Sequence, residues 1–327
     1  MVKYLARRLF IWLLMIAAAT NLTYFLASSF LDPRANYLAI NPRPPESSIN
    51  ATLDLYNLND HEPLVSRWWD WVSGVVTSWD WGASPKGGSV NAEVASRIWV
   101  SAQFVLLATV VSTVIGIAIG VYTASRQYKL GDRAWQQTSV VIMNIPTPVM
   151  AVAVVAAGIG LNNQLGSTFL YVSGSESVGV EGFLPTLADR AAHLALPTIS
   201  LVACGYAGYH FLQRALLLDN IRADYVRTAR AKGLTKAAAI RRHALPTSII
   251  PVATSVAFSI PAVFTGAVIS ETIFGWEGMG RYFVSTIGQN DIHGVVAVAA
   301  FGALVTAIGA VLSDAVVAVL DPRVRVS

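Results

Sequence analysis

Ile98-Trp-Val-Ser-Ala-Gln-Phe-Val-Leu-Leu-Ala-Thr-Val-Val-Ser-Thr-Val-Ile-Gly-Ile-Ala-Ile-Gly-Val-Tyr-Thr-Ala124 contains no charged residue. A bilayer core takes roughly 20 apolar residues to cross as a helix, and this block is longer than that. Five further blocks have the same character: Leu9–Phe30, Trp135–Leu161, Leu194–Leu218, Leu245–Phe274 and Val295–Leu320. The chain has 327 residues, of which 54% are hydrophobic and 13% charged. Soluble domains carry about 25% charged residues. The expectation is an all-α integral membrane protein with six transmembrane helices.

The basic residues set the orientation. With the N-terminus in the cytoplasm, sixteen of the 23 Lys and Arg fall inside, among them Lys3, Arg7, Arg8, Arg126, Lys129, Arg133, Arg323 and Arg325. That satisfies the positive-inside rule, so both termini are expected to be cytoplasmic. The same distribution accounts for the net charge of +4 without nucleic acid as a partner. The first block follows Lys3, Arg7 and Arg8 as a signal peptide would, but its apolar stretch exceeds a usual h-region. It reads as a retained helix.

The expected division is 1–31 for the N-terminal start and first helix, 32–97 for a long extracytoplasmic insertion, 98–320 for a five-helix core and 321–327 for a cytoplasmic tail. In the insertion, Asn41-Pro-Arg-Pro-Pro-Glu-Ser-Ser48 reads as an extended linker. Trp68, Trp69, Trp71, Trp79, Trp81 and Trp99 follow it. These rings suit either a short amphipathic helix along the outer leaflet or packing against the other outer loops. The second outer loop, Asn162 to His193, is Gly/Ser-rich and reads as irregular. Pro146, Pro148, Pro197, Pro246, Pro251 and Pro261 interrupt the spans, and neighbouring helices must satisfy the freed backbone groups. Gly116-Ile-Ala-Ile-Gly120 offers a small-residue face for helix packing within the chain.

Several chemistries lack their residues. There is no Gly-x-x-x-x-Gly-Lys-Ser/Thr loop to cradle a nucleotide. No Cys or His cluster has metal spacing, and His61, His193, His210, His243 and His293 are scattered. The single cysteine, Cys204, cannot form an intrachain disulfide. Glu271 and Asp314 are the acids within the spans, both near helix ends. A proton-coupled carrier usually places acids nearer mid-membrane.

The loop Arg222 to Pro246 carries the most specific pattern. Its Ala- and Arg-rich start, Ala223 to Lys232, favours helix. Gly233 suits a left-handed cap. Thr235 can cap a second helix, Lys236 to Ala244, and Pro246 marks the entry to the next span. Ala223, Ala229, Ala231 and Gly233 keep one side slim enough for a partner's groove. Lipid headgroups are the other occupant that the basic residues allow.

This loop resembles the "EAA" loop of ABC importer permeases at Thr228-Ala229-Arg230-Ala231, Gly233 and Leu245-Pro246. Asp224-Tyr-Val-Arg-Thr-Ala-Arg-Ala-Lys-Gly-Leu234 resembles the dipeptide/oligopeptide branch. So do Tyr4-Leu-Ala-Arg-Arg-Leu9, His193-Leu-Ala-Leu-Pro197, Glu271-Thr-Ile-Phe-Gly-Trp276 with Gly278-Met-Gly280, and Leu320-Asp-Pro-Arg323. The acidic, Trp-rich insertion is most similar to that of B-type permeases. Departures gather on the outer side: Glu277 stands where the family has Pro, and Leu31-Asp-Pro-Arg34 replaces a longer Pro-Gly motif. Pro246 stands where Arg or Lys is frequent.

The resemblance implies a type I ABC importer permease fold in a bacterial plasma membrane. It implies a heterodimer with a second permease, ATPase subunits beneath, an extracytoplasmic peptide-binding protein outside and a peptide substrate. The chain itself would then be no enzyme and hold no cofactor, ATP and Mg being bound by the ATPase partners. Asp224, Tyr225, Arg227, Thr228, Ala229, Arg230, Ala231, Gly233 and Leu234 are the expected coupling residues, and Glu271, Phe274, Trp276 and Met279 the expected outer gate. A secondary transporter or channel is the alternative.

Overall fold

The computed structural model describes residues 2–320, with the side chains of 2–6, 257–258, 260–266 and 315–320 outside the description. The tail 321–327, with Arg323 and Arg325, lies outside the described residues, as does the Pro261 side chain. Among the described residues regular structure is helical, apart from an isolated antiparallel bridge between Ala83 and Ser89. Five helical stretches there are long and apolar enough to cross a membrane: Arg7–Leu38, Val90–Ser125, Thr147–Leu165, Phe183–Ile221 and Ile292–Asp314. The expected span Leu245–Phe274 is a helix over Leu245–Ile273, with part of its side chains undescribed.

The chain divides into two compact units: residues 1–102 with 277–307, and residues 103–276 with 308–327. The first holds α1 (Val2–Phe30), α2 (Ala35–Leu38), α3 (Glu46–Leu55), α4 (Leu64–Ser78), the start of α5 (Val90–Ser125), α12 (Met279–Gly288) and most of α13 (Ile292–Leu320). Tyr24, Ile49, Leu53, Leu58, Trp71, Ile292, Val295 and Val296 form its core. The linker reading of 41–48 fails past Pro45. That proline supplies an extended residue from which α3 starts at Glu46, with its acid where the helix dipole favours it.

Neither reading of the tryptophans holds in full. Leu64-Val-Ser-Arg-Trp-Trp-Asp-Trp places Trp68 and Trp71 one turn apart, and both turn inward onto α1. Trp71 stacks on Tyr24 with centroids 4.8 Å apart, and Trp68 Nε1 donates to Asn21 Oδ1 at 2.6 Å. Trp69 and Trp79 stay exposed.

In the second unit, α8 (Phe183–Ile221) packs against α6 (Leu130–Met143), α7 (Thr147–Leu165) and α11 (Leu245–Ile273). At 39 residues, α8 is about 58 Å long, well beyond a hydrocarbon core of about 30 Å. The expected third span, Trp135–Leu161, is two helices. The chain leaves α6 at Asn144 and restarts at Thr147, because Pro146 and Pro148 cannot continue the α6 ladder yet suit a helix start. The outer loop is irregular only over 166–182, since α7 runs to Leu165 and α8 begins at Phe183. The Gly116/Gly120 face is used within the chain. A Cβ on Gly116 would lie 2.5 Å from Tyr209 Cβ, and one on Gly120 2.8 Å from Gln213 Cβ, both on α8.

Candidate functional site

The loop after α8 folds as two short helices on an apolar base. Ala223 is extended and starts α9 (Asp224–Ala231), with Asp224 in the first turn and Arg230 in the last, both favoured by the dipole. Val226 and Ala229 turn inward. Val226 joins Ala124, Leu217, Ala239, Ile240 and Ala244 in one buried cluster, with Leu234 packed against it. Gly233 has φ +97°, the left-handed conformation that glycine adopts without strain, and its N–H donates to the Arg230 carbonyl at 3.0 Å. Thr235 Oγ1 accepts the Ala238 N–H at 3.3 Å and caps α10 (Lys236–Ala239).

The second loop helix does not stop before Pro246. It continues from α10 through a wide π turn, Ile240–Ala244, directly into α11. Proline is tolerated at 246 because it occupies a first-turn position of α11. The π turn keeps Ile240 and Ala244 buried while Arg241, Arg242 and His243 face out.

The expected coupling residues therefore separate by direction. Asp224, Tyr225, Arg227, Thr228, Arg230, Ala231 and Gly233 are exposed, Leu234 is half-buried and Ala229 is buried against the chain's own interior. Arg227 pairs with Asp224 at 3.5 Å in the open, which adds little stability. Nothing lies within 4 Å of a Cβ built on Gly233. The outer surface of the loop is thus basic, with a low point at Ala231 and Gly233.

Below the loop stands a polar frame that sequence reasoning missed. Asp132, fully buried, takes Arg214 Nε at 2.8 Å and Nη2 at 2.9 Å, the Tyr128 N–H at 2.9 Å and Gln136 Nε2 at 2.8 Å. Burial pushes its carboxyl up, but the Arg214 bonds and the Tyr128 N–H outweigh it and hold the pKa below the usual range. His210 is also fully buried, between Ser139 Oγ at 2.8 Å and Thr123 Oγ1 at 3.1 Å. The signal available was a charge pair of opposite sign near two span ends, but 82 residues separate its members.

The expected gate residues are buried. Glu271, Phe274 and Trp276 are each 1% exposed and sit at the far end of α11, about 43 Å from its start for 29 residues. The turn closes with the Trp276 N–H on the Glu271 carbonyl at 2.8 Å. The Gly174 N–H from the 166–182 loop reaches the Phe274 carbonyl at 2.9 Å. Trp276 stacks on Phe104, with centroids 5.9 Å apart. Met279, equally buried, belongs to the first unit, where its N–H donates to Ser101 Oγ at 2.8 Å. Among the described residues no group of three His, Cys, Asp or Glu is arranged to hold a metal ion.

A profile of the family described as "Binding-protein-dependent transport system inner membrane component" matches residues 116–326. The chain is 38% identical to the oligopeptide transport system permease protein OppB of Mycobacterium tuberculosis, over the full length of both. It is 28% identical to the oligopeptide transport system permease protein AppB of Bacillus subtilis, over 99% of this chain and 100% of the other. With the dipeptide transport system permease protein DppB of the same bacterium it shares 26% identity, over 99% and 98% respectively.

Proposed function

Because the chain belongs to the family of binding-protein-dependent transport system inner membrane components, we propose that it is the membrane-embedded permease subunit of an ATP-driven importer of oligopeptides or dipeptides. It is a multi-pass membrane protein of a transport system whose ATP hydrolysis belongs to separate subunits. In this reading six helices cross the bilayer, Leu245–Ile273 being the fifth in chain order, and 32–97 is an extracytoplasmic insertion ahead of a 98–320 core. Both termini, including 321–327, are cytoplasmic. A second permease completes the path, and a peptide-binding protein delivers substrate from outside.

The observation that carries the mechanism is the unbroken helix from the loop into α11. An ATPase domain seated on the exposed basic surface of α9 and α10 would press on a rigid base, because Val226, Leu234 and Ile240 are packed into the cluster beneath. The motion then passes along α11 to the Glu271–Trp276 turn, since helical backbone runs on from Lys236 through the π turn to Ile273. Ala231 and Gly233 allow close approach, and Arg227 and Arg230 offer cations to acids or carbonyls of the motor. Glu271, Phe274, Trp276 and Met279 act at the outer gate. ATP and Mg are bound by the partners.

Affinity purification in mild detergent tests this reading. The expected result is co-purification of ATPase subunits and a second permease. Recovery of the chain alone, together with unimpaired peptide uptake in cells lacking it, would overturn the proposal.

A further inference from the structure

The first unit contains a cavity of about 280 Å³ whose lining includes Lys86, Glu93, Arg97, Tyr282 and Asp291. Its charges are unequally matched. Arg97 is held by Glu93 at 2.8 Å and by Glu277 at 2.8 Å, which neutralises that group internally. Asp291, 1% exposed, accepts the Gly294 N–H at 2.9 Å and a side-chain hydrogen bond from Ser84, and makes no ion pair among the described residues. Burial, the largest influence on it, pushes its carboxyl up to about 6. Tyr282 is 7% exposed, and its buried hydroxyl has no hydrogen-bond partner. Burial, followed by the charges of Asp291 and Glu93, keeps that phenol protonated. Lys86 is exposed.

The cavity thus holds a buried acid with hydrogen bonds but no opposite charge, and a buried hydroxyl without a partner, which is costly unless something meets it. An ammonium group does so: it donates to the carboxylate and to the phenol oxygen. The volume falls at the lower limit for small-molecule pockets, which suits an amino acid or dipeptide. We propose that this cavity is a binding site for a small zwitterion, with its ammonium on Asp291 and Tyr282 and its carboxylate toward Lys86. The proposal rests on the peptide reading only for the choice of ligand.

Gly88 also lines the cavity, and nothing lies within 4 Å of a Cβ placed there. A fluorophore on Gly88→Cys, in a Cys204→Ala background, therefore reports occupancy in the purified full-length chain. Alanyl-alanine is the probe. It is expected to change the emission saturably, and N-acetyl-alanyl-alanine to bind about tenfold or more weakly, as loss of a charge-assisted contact implies. Asp291→Asn weakens the dipeptide by a similar factor and Tyr282→Phe by less. Lys86→Ala, at an exposed side chain that does not endanger folding, weakens alanyl-alanine but leaves its C-terminal amide unchanged. Equal binding of the acetylated probe, no response to alanyl-alanine, or an Asp291→Asn variant of unchanged affinity and melting temperature would overturn the inference. Peptide uptake by cells is scored separately. Uptake without a fluorescence response sinks the cavity alone, and a response without uptake sinks the importer reading alone.

Discussion

Arg214 grips Asp132 with two hydrogen bonds, 2.8 and 2.9 Å long, although Asp132 is fully buried and 82 residues away in sequence. The pair ties the start of α6 to α8 one turn before Leu217, which lies in the cluster beneath α9. Arg214→Ala leaves a buried carboxylate without its partner and is expected to cost about 3–5 kcal/mol. The double variant Asp132→Asn/Arg214→Gln is expected to cost less than Arg214→Ala alone. Thermal unfolding in detergent checks both. Asp132 has a lowered folded pKa, so its contribution is present at neutral pH and is lost as pH falls below about 4 through that folded value.

Gly233→Ala places a Cβ in open space but at φ +97°. The expected stability loss is about 1 kcal/mol from backbone strain alone. Gly233→Trp is expected to lose about as little stability, yet to abolish peptide uptake and substrate-stimulated ATPase at normal expression. Unaltered coupling would remove the docking role.

Gly116→Ala and Gly120→Ala drive a methyl group into backbone: the Tyr206 carbonyl at 2.7 Å and the His210 carbonyl at 2.9 Å respectively. Backbone atoms of a packed helix cannot swing aside, so each is expected to cost about 1–3 kcal/mol, visible as a lower melting temperature. Gly160→Ala, where nothing lies within 4 Å, is the control.

Asp291 titrates in the opposite sense to Asp132. Its folded pKa of about 6 lies above the unfolded value, so its favourable contribution is fully present below about pH 4 and is lost as pH rises through 6. The protein is expected to melt higher at about pH 5 than at about pH 7.5 on this account, by roughly 1–1.5 kcal/mol of stability. Asp291→Asn should flatten that dependence.

Neutralising Glu271 as Glu271→Gln is expected to lower uptake and binding-protein-stimulated ATPase while leaving assembly with the ATPase intact. Pull-down and transport assays on the same preparation separate these. Unchanged transport would remove Glu271 from the gate.

Local chemistry was legible where one residue decides the conformation. Gly233 at the bend and Thr235 at the cap were read from residue type alone. Side-chain direction was less legible: Ala229 belongs to a slim series in sequence, yet helical phase turns it inward beside Val226. Long-range pairing was not legible at all. Nothing near Asp132 names Arg214, and nothing near Ser139 names His210, because helix packing rather than spacing brings them together. The third span misled because apolarity runs straight through Asn144–Thr147 while Pro146 and Pro148 reset the backbone there. Pro246 was legible as the entry to the next span, since proline suits a first helical turn, but the fusion of α10 to α11 was not: the second loop helix was read as ending at Ala244, where a π turn instead carries it on.

The continuous helix from Lys236 to Ile273 also makes residue count a constraint. Inserting or deleting one residue between them would rotate everything beyond by about 100° and shift it by about 1.5 Å. Glu271 would then leave its buried position even if every side chain were kept. Substitutions along this stretch can be absorbed one at a time, but its length cannot drift. The π turn at Ile240–Ala244, itself a widened register, is the place where a change in that count is most easily accommodated.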